Sequence, residues 1–182
     1  MATNNRVMTP AEFKTIRESL GLTAQWIAAN AGVKLRTAQY WEAGRMAVPA
    51  DVASMLDRID KILDSAVAQA VAHIDELAEH HGAPPEITLV RYRTDADLWR
   101  FRPDMKPLPA ATHAAMLSRL RRVLWSRSIP SVIEFLDPDE YTTWLAGRQD
   151  TETERANWAA THSSFLRVIV RSLGLTSHPK RC

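Results

Sequence analysis

Five side chains of the kind that read DNA bases lie within seven residues of one another: Lys34, Arg36, Thr37, Gln39 and Tyr40. An arginine can donate two hydrogen bonds to O6 and N7 of guanine, and a glutamine matches the N6 and N7 edge of adenine. A lysine at the start of such a stretch suits a backbone phosphate. The spacing therefore predicts contact with the major groove of double-stranded DNA, the alternative being that these are ordinary solvated residues.

Three short helices in the first 49 residues would have to position these side chains. The first starts at Thr9–Glu12, where a threonine cap, a proline and a glutamate three residues after the cap coincide, and it should stop near Gly21. Thr23 can cap a second helix over residues 24–30, which ends before Gly32. A third begins at residues 34–35 and closes at Gly44. Two helices joined by a glycine turn predict a helix-turn-helix unit.

One small apolar core would fix the angle between the second and third helices. Ala28 is small enough to let the two helices cross closely, and Gly32 permits a tight turn with positive φ. The predicted core residues are Ile16, Leu20, Ile27, Val33, Ala38 and Trp41.

The stretch LTAQWIAANAGVKLRTAQYWEAGR, read from Leu22, resembles the Xre/Cro-like helix-turn-helix regulators. The matching elements are Leu22-Thr23, Ile27-Ala28, Gly32-Val33 and Trp41-Glu42-Ala43-Gly44, in register and without insertion. The resemblance implies a structural ion pair between Arg17 and Glu42, which would join the first and third helices. Within this arrangement Gln25 and Arg45 are expected to hold the DNA backbone on either side of the third helix.

A narrower resemblance rests on the dozen residues around the end of the third helix. The string YWEAGRMAVP, from Tyr40 to Pro49, followed by Asp51-Val52, is similar to the anti-CRISPR-associated regulators and their bacterial relatives. Those proteins combine a helix-turn-helix with a C-terminal α/β dimerisation region, and they repress their own operon through inverted repeats. The resemblance implies the same plan for this chain.

A long periodic run follows Pro49. Apolar residues recur at the three-and-four spacing of a helix until Gly82, with no glycine or proline between. Such a helix exceeds what a small domain needs, which indicates a connecting or dimer helix. The sequence leaves two alternatives open, a continuous helix and one that bends near Asp64-Ser65.

The second half reads as a small α+β region. Residues 87–92 and 132–136 have the composition of β-strands. Helices are expected around residues 96–101, over 110–126, after the Asp137 cap and over 152–173. The tail from Ser177 is expected to be frayed. The predicted fold is mainly α: a helix-turn-helix domain over 1–49, a long helix over 50–82 and an α+β dimerisation or partner-binding domain over 83–182.

Charge is distributed unevenly along the 182 residues, although the net charge is only +2. Residues 1–50 carry +3, residues 51–81 carry −5, residues 82–136 carry +4, and residues 137–182 are balanced. No apolar run approaches the roughly 18 residues of a membrane span, and the N-terminus has no secretory pattern. We expect a cytoplasmic protein that does not enter a membrane.

The histidines and the clustered acidic residues could suggest metal binding or catalysis, but structural roles at helix ends explain them better. His80 and His81 sit at a helix end, and no acidic or cysteine partner completes a ligand spacing with His73. The acids of Asp137–Glu140 suit a helix start better than calcium. The only cysteine is Cys182, and no glycine-rich phosphate loop or nucleophile elbow is present. The expectation is a protein that is not an enzyme, with no metal and no cofactor.

The basic segment over residues 82–136 has two possible interpretations, one of them a second surface for nucleic acid. Its arginines interleave with Tyr92, Trp99, Phe101 and Trp125, which would suit RNA or single strands. The favoured interpretation is that they cover apolar surface and pair with the acidic helix.

Two functions follow from the sequence. The first is a homodimeric repressor that binds an inverted repeat in double-stranded DNA through the third helix. The alternative is an antitoxin-like protein, which binds a protein partner with its C-terminal half and autoregulates through the helix-turn-helix.

Overall fold

A computed structural model describes residues 7–82 and 85–162. The expected continuation of the last helix through Phe165, Ile169 and Leu173, and the tail from Ser177, lie outside the described residues.

The chain begins with three short helices, α1 (Pro10–Ser19), α2 (Ala24–Asn30) and α3 (Leu35–Glu42). The capping box at the start of α1 is closed, because Thr9 Oγ1 accepts from the Glu12 N–H at 3.2 Å and Glu12 Oε2 accepts from the Thr9 N–H at 2.9 Å. Thr23 caps α2 in the same way, accepting from the N–H of Trp26.

Helix α4 (Ala50–His81) runs without interruption for 32 residues, which decides between the two alternatives left by the sequence. At about 1.5 Å per residue it is roughly 48 Å long. It ends at Gly82, whose φ of 81° lies in the left-handed region that glycine adopts readily.

The second half folds around two parallel strands. The elements in order are β1 (Ile87–Arg91), α5 (Asp95–Phe101), a 3₁₀ turn (Pro103–Met105), α6 (Ala110–Ser126), β2 (Ser131–Phe135), α7 (Pro138–Leu145) and α8 (Glu152–His162). Strand β2 pairs with β1 in parallel, from Ile87 opposite Ser131 to Arg91 opposite Phe135. Asp137 caps α7 as predicted. The predicted fold class, mainly α with a small C-terminal α+β region, is confirmed.

Three apolar clusters fill the molecule, and α6 contributes to each of them. The first joins α1–α3 to the first half of α4, where Leu56 and Leu63 are buried, and Met116 of α6 packs against it. The second contains Tyr141 and Trp158 and lies among β1, α5, α7 and α8. The third joins the second half of α4 to β1 and α6. The division into domains at residues 49 and 82 stays a prediction.

His113 on α6 is buried at 3% exposure beside the second cluster. Its ring meets Tyr92 edge to face, with 5.1 Å between ring centroids. Among the described residues its Nδ1 has no hydrogen-bond partner. Burial, with a smaller contribution from the positive charge of Arg102, lowers the pKa of His113 from 6.5 to about 4. The imidazole is therefore neutral in the folded protein near pH 7.

Candidate nucleic-acid interface

The turn between α2 and α3 has the geometry that the sequence predicts for Gly32. Its φ is +66°, and the chain closes through a hydrogen bond from the Val33 N–H to the Ala28 carbonyl at 2.9 Å. Ala28 of α2 and Ala38 of α3 are both buried, at 1% and 0% exposure. Small side chains at these two positions let the helices approach closely, so α3 is held at one angle to α2.

The inner face of α3 is anchored by Trp41, which is 2% exposed. Its indole meets the ring of Phe13 edge to face at 6.1 Å, and Phe13 is fully buried. Phe13 is missing from the predicted core residues, although it stands three residues before Ile16, on the same side of α1. Because Ala38 and Trp41 face inward, the opposite side of α3 is turned to solvent.

None of the residues predicted to contact DNA is fully buried. Thr37 and Tyr40 are half-buried, and the exposed members are Gln25, Lys34, Arg36, Gln39 and Arg45. Lys34 is the N-cap residue of α3, but its side chain makes no capping hydrogen bond. The N-cap position puts Lys34 at the helix end whose backbone N–H groups favour an anion.

Tyr40 brings two of the predicted arginines together. The Nε of Arg36 donates to the Tyr40 hydroxyl, and the guanidinium carbon of Arg36 lies 5.3 Å from the centre of the ring. The guanidinium carbon of Arg45 lies 5.5 Å from the same ring. Both distances are in the range of cation–π attraction. The three side chains form one unit, which we call the Arg36–Tyr40–Arg45 cluster.

The end of α3 explains how Arg45 reaches back to Tyr40. Gly44 has a φ of +67°, its N–H donates to the Trp41 carbonyl at 3.2 Å, and the Arg45 N–H donates to the Tyr40 carbonyl at 2.9 Å. This pair of bonds is a Schellman motif, which turns the chain back over the last turn of the helix. The four-residue spacing of Arg36 and Tyr40 could have indicated their contact from the sequence.

Arg17 and Glu42 lie together across α1 and α3. The Nε of Arg17 donates to Glu42 Oε1 at 2.6 Å, and one of its terminal nitrogens donates to the Leu22 carbonyl at 2.6 Å. Arg17 is only 9% exposed. Its charge is thus used inside the helix-turn-helix, where it ties the C-terminus of α3 to α1 and to the loop before α2.

Besides the packing of Met116, two points of close approach join the helix-turn-helix to the second half of the chain. The indole Nε1 of Trp26 in α2 donates to the Pro107 carbonyl at 3.1 Å. Gly21 lies so close to α6 that a Cβ atom there would stand 2.5 Å from the Ala111 carbonyl oxygen. These contacts join residues more than 80 positions apart, and no signal in the sequence indicated them.

Two arginines of the second basic segment, Arg119 and Arg127, form ion pairs with aspartates of α4. Arg119 pairs with Asp60 and Asp64 of α4 at 2.6 and 2.7 Å, and Arg127 pairs with Asp75 at 2.8 Å. These pairs agree with the favoured interpretation of the segment. Arg121 and Arg122 are exposed, and neither has an ion pair among the described residues.

Within the described ranges, no three histidine, cysteine, aspartate or glutamate side chains are grouped so that they could hold a metal ion. No helix in those ranges combines the length and the apolar character needed to cross a membrane.

A family model described as Aca2/YdiL-like matches residues 8–123, which span α1 to α5 and most of α6. No curated protein matches the chain.

Proposed function

The chain belongs to the Aca2/YdiL-like family of regulators, and from that premise we propose that it is a DNA-binding transcriptional repressor. It would act in the cytoplasm as a homodimer on an inverted repeat, without catalysis of its own. The observation that carries the proposal is the outer face of α3, where the Arg36–Tyr40–Arg45 cluster and Lys34 present positive charge from a helix whose inner face is fixed in a core.

Each side chain of this surface has an expected role. Arg36 and Gln39, on the exposed side of α3, would contact base edges in the major groove. Thr37 and Tyr40 would complete that contact at its edge. Lys34 at the start of α3, Arg45 after its end and Gln25 near the start of α2 would hold phosphates on the two sides of the groove.

A dimer follows from the size of this surface. One helix of eight residues reads only a few base pairs, whereas operator selectivity needs two half-sites about 34 Å apart on one face of the duplex. Two α3 helices held at that distance would read an inverted repeat. Occupation of a promoter would then repress transcription by excluding the polymerase.

Footprinting of the purified protein on the DNA upstream of its own gene tests the proposal. We expect protection of an inverted repeat, and we expect Arg36→Ala to lose it. A matched control is Arg58→Ala, since Arg58 is an exposed arginine that lies on α4 and not on α3. Equal protection by the parent and Arg36→Ala would contradict the role of α3. A monomeric mass in light scattering, with and without DNA, would contradict the dimer.

An antitoxin-like role remains the alternative, and the second apolar cluster weighs against it. A tail that wraps a partner has no core of its own before binding, whereas Leu98, Tyr141 and Trp158 are buried at 0–2% exposure within the second half. Rapid loss of the second half in limited proteolysis of the free protein would favour the antitoxin.

A further inference from the structure

A cleft lies where the end of α1 meets α4 and α6. Its volume is about 710 Å³, and it is lined by Ser19 of α1, by Asp64 and Val67 of α4, and by one face of α6. Binding sites for small organic molecules typically have volumes of about 300–1,000 Å³. The cleft is therefore large enough for a molecule of one or two rings, and its described lining includes no residue of α3.

Helix α6 contributes a continuous stripe of side chains to this cleft. Their spacing of three and four positions places them on one face of the helix, over roughly 12 Å. The residues of the stripe are Ala115, Ser118, Arg119, Arg122 and Val123. The first and the last are half-buried, and Val67 of α4 is buried at 8% exposure. The cleft thus has apolar walls as well as polar groups.

The two arginines of the stripe differ in how their charge is used. Arg119 donates to Asp60 and Asp64 at 2.6 and 2.7 Å, so two carboxylates offset its charge. Arg122 is exposed, and its side chain makes no hydrogen bond or ion pair with a described residue. The exposed Ser118 lies one turn before it. A guanidinium with two parallel N–H groups suits an oxyanion such as a carboxylate or a sulfonate.

The cleft lies beside the contacts that position the helix-turn-helix. Gly21, two residues after Ser19, approaches the backbone of Ala111, one turn of α6 before the cleft. Arg17, two residues before Ser19, donates to Glu42 of α3 at 2.6 Å. A molecule that contacts both Ser19 and α6 would fasten the end of α1 and, through Arg17, the end of α3.

We propose that this cleft binds a small organic anion with a flat apolar body, and that the bound anion strengthens the binding of α3 to DNA. The oxyanion accepts from the Arg122 guanidinium, and the apolar body lies against Val67 and Val123. A ligand shifts a protein toward the arrangement that it binds, and the cleft is formed in the arrangement that exposes the outer face of α3. The control of DNA binding rests on the proposed function, whereas the binding of the anion does not.

Fluorescence titration of the full-length protein with 1-anilinonaphthalene-8-sulfonate tests the site, because this probe joins apolar rings to one sulfonate. We expect saturable binding of one probe molecule per chain. Arg122→Ala should weaken it by at least about tenfold, since a hydrogen bond to a charged group is lost. The matched control is Arg121→Ala, which removes an exposed arginine outside the cleft lining and should bind as the parent does. Equal affinities of the two variants, or no saturable binding by the parent, would overturn the site.

A second probe separates the apolar body from the charge. N-phenyl-1-naphthylamine has the same rings without the sulfonate, and it should bind the parent and Arg122→Ala with equal affinity. Inorganic phosphate, added at constant ionic strength, should not displace the charged probe. Displacement by phosphate, or a loss of the uncharged probe in Arg122→Ala, would overturn the division between an apolar wall and a cationic end.

Filling the cleft supplies an independent test. Ser118 is exposed, so Ser118→Trp should keep the circular dichroism and the thermal unfolding of the parent while its indole occupies the cleft. We expect this variant to bind neither probe. A folded Ser118→Trp protein that binds both probes as the parent does would place them elsewhere on the molecule and overturn the proposal.

The effect on DNA binding is measured separately. At a saturating concentration of the charged probe, the affinity of the parent for its operator should rise by at least about fivefold. Arg122→Ala should have the parent's affinity without the probe and no response to it. An unchanged or lower affinity of the parent would overturn the control of DNA binding. A parent that binds no specific DNA would overturn the proposed function together with that control, and the titrations without DNA would still decide the site.

Discussion

The guanidinium of Arg17 and the carboxylate of Glu42 lie 2.6 Å apart, joining α1 to the last residue of α3. Both side chains are largely shielded from water, at 11% and 18% exposure. A pair in such surroundings is costly to break on one side, because the remaining charge stays in the interior without its partner. The contact sets how firmly α3 is held for any ligand that it binds.

Removal of one partner of this pair should destabilise the protein strongly. We expect Glu42→Leu to lower the free energy of unfolding by about 3 kcal/mol, because the buried Arg17 loses its partner at 2.6 Å and keeps only the exposed carboxylate of Glu18 at 3.3 Å. Urea denaturation at neutral pH measures the change. The double variant Arg17→Met/Glu42→Leu should recover part of the loss, and a double variant that is less stable than the single one would contradict this account.

Arg36→Ala should weaken binding to a specific operator by about 1–3 kcal/mol and relax the preference at one base position. The reason is the loss of two hydrogen bonds to a guanine edge. Titration against the operator and a series of single-base variants measures both effects. Tyr40→Phe is the matched variant, because it keeps the ring under both arginines but removes the hydroxyl that accepts from Arg36. We expect it to lose less affinity than Arg36→Ala, and a larger loss would give the recognition to Tyr40 itself.

Arg45→Ala should lower the affinity for all DNA sequences by a similar factor. A phosphate contact is independent of sequence, so the slope of log K against log salt concentration should fall by about 1 in magnitude. Binding measured at several salt concentrations, on specific and unrelated DNA, gives the slope. An unchanged slope together with a changed base preference would assign Arg45 to the bases instead.

Gly21→Ala should cost more stability than Gly32→Ala. The two glycines have nearly the same φ, +67° and +66°, so both substitutions carry the same left-handed backbone penalty of about 1–2 kcal/mol. A Cβ at Gly21 would also stand 2.5 Å from the Ala111 carbonyl oxygen, whereas nothing lies within 4 Å at Gly32. The difference between the two variants in urea denaturation measures the contact with α6. Equal losses of stability in the two variants would contradict a close contact between Gly21 and α6.

The buried His113 should make the protein less stable as the pH falls. The unfolded chain binds a proton at this residue near pH 6.5, whereas the folded chain keeps it neutral until about pH 4. The free energy of unfolding therefore decreases between these values, by about 3 kcal/mol from this group. His113→Phe should lose packing equally at each pH but show a smaller decrease between pH 7 and pH 4. Parallel curves for parent and variant would exclude a role for His113.

The local features of the fold could be predicted from the sequence, because short-range signals determine them. The capping box at Thr9, the turn at Gly32 and the cap at Asp137 each depend on residues within a few positions. The strand predicted at 132–136 is observed one residue earlier, at Ser131–Phe135, which is the usual uncertainty of an element boundary.

What the sequence could not predict are the contacts between distant residues. The hydrogen bond from Trp26 to Pro107 and the approach of Gly21 to Ala111 depend on how whole helices pack. The contact of Arg45 with Tyr40 could not be predicted either, because it depends on the turn at Gly44, which directs Arg45 back to the ring. The roles of the exposed α3 residues stay predictions until DNA binding is measured.

The first apolar cluster, which α1–α3 share with α4 and α6, limits how the sequence of this chain can evolve. Because Leu20 and Ile27 pack with Leu56 and Leu63 of α4, and Met116 of α6 closes the same cluster, the first 49 residues do not carry a complete interior. A recombination event that exchanged only that segment would bring in a foreign surface against α4 and α6. Base preference is therefore expected to diverge by point substitution on the outside of α3, while its inner side and its neighbours change together.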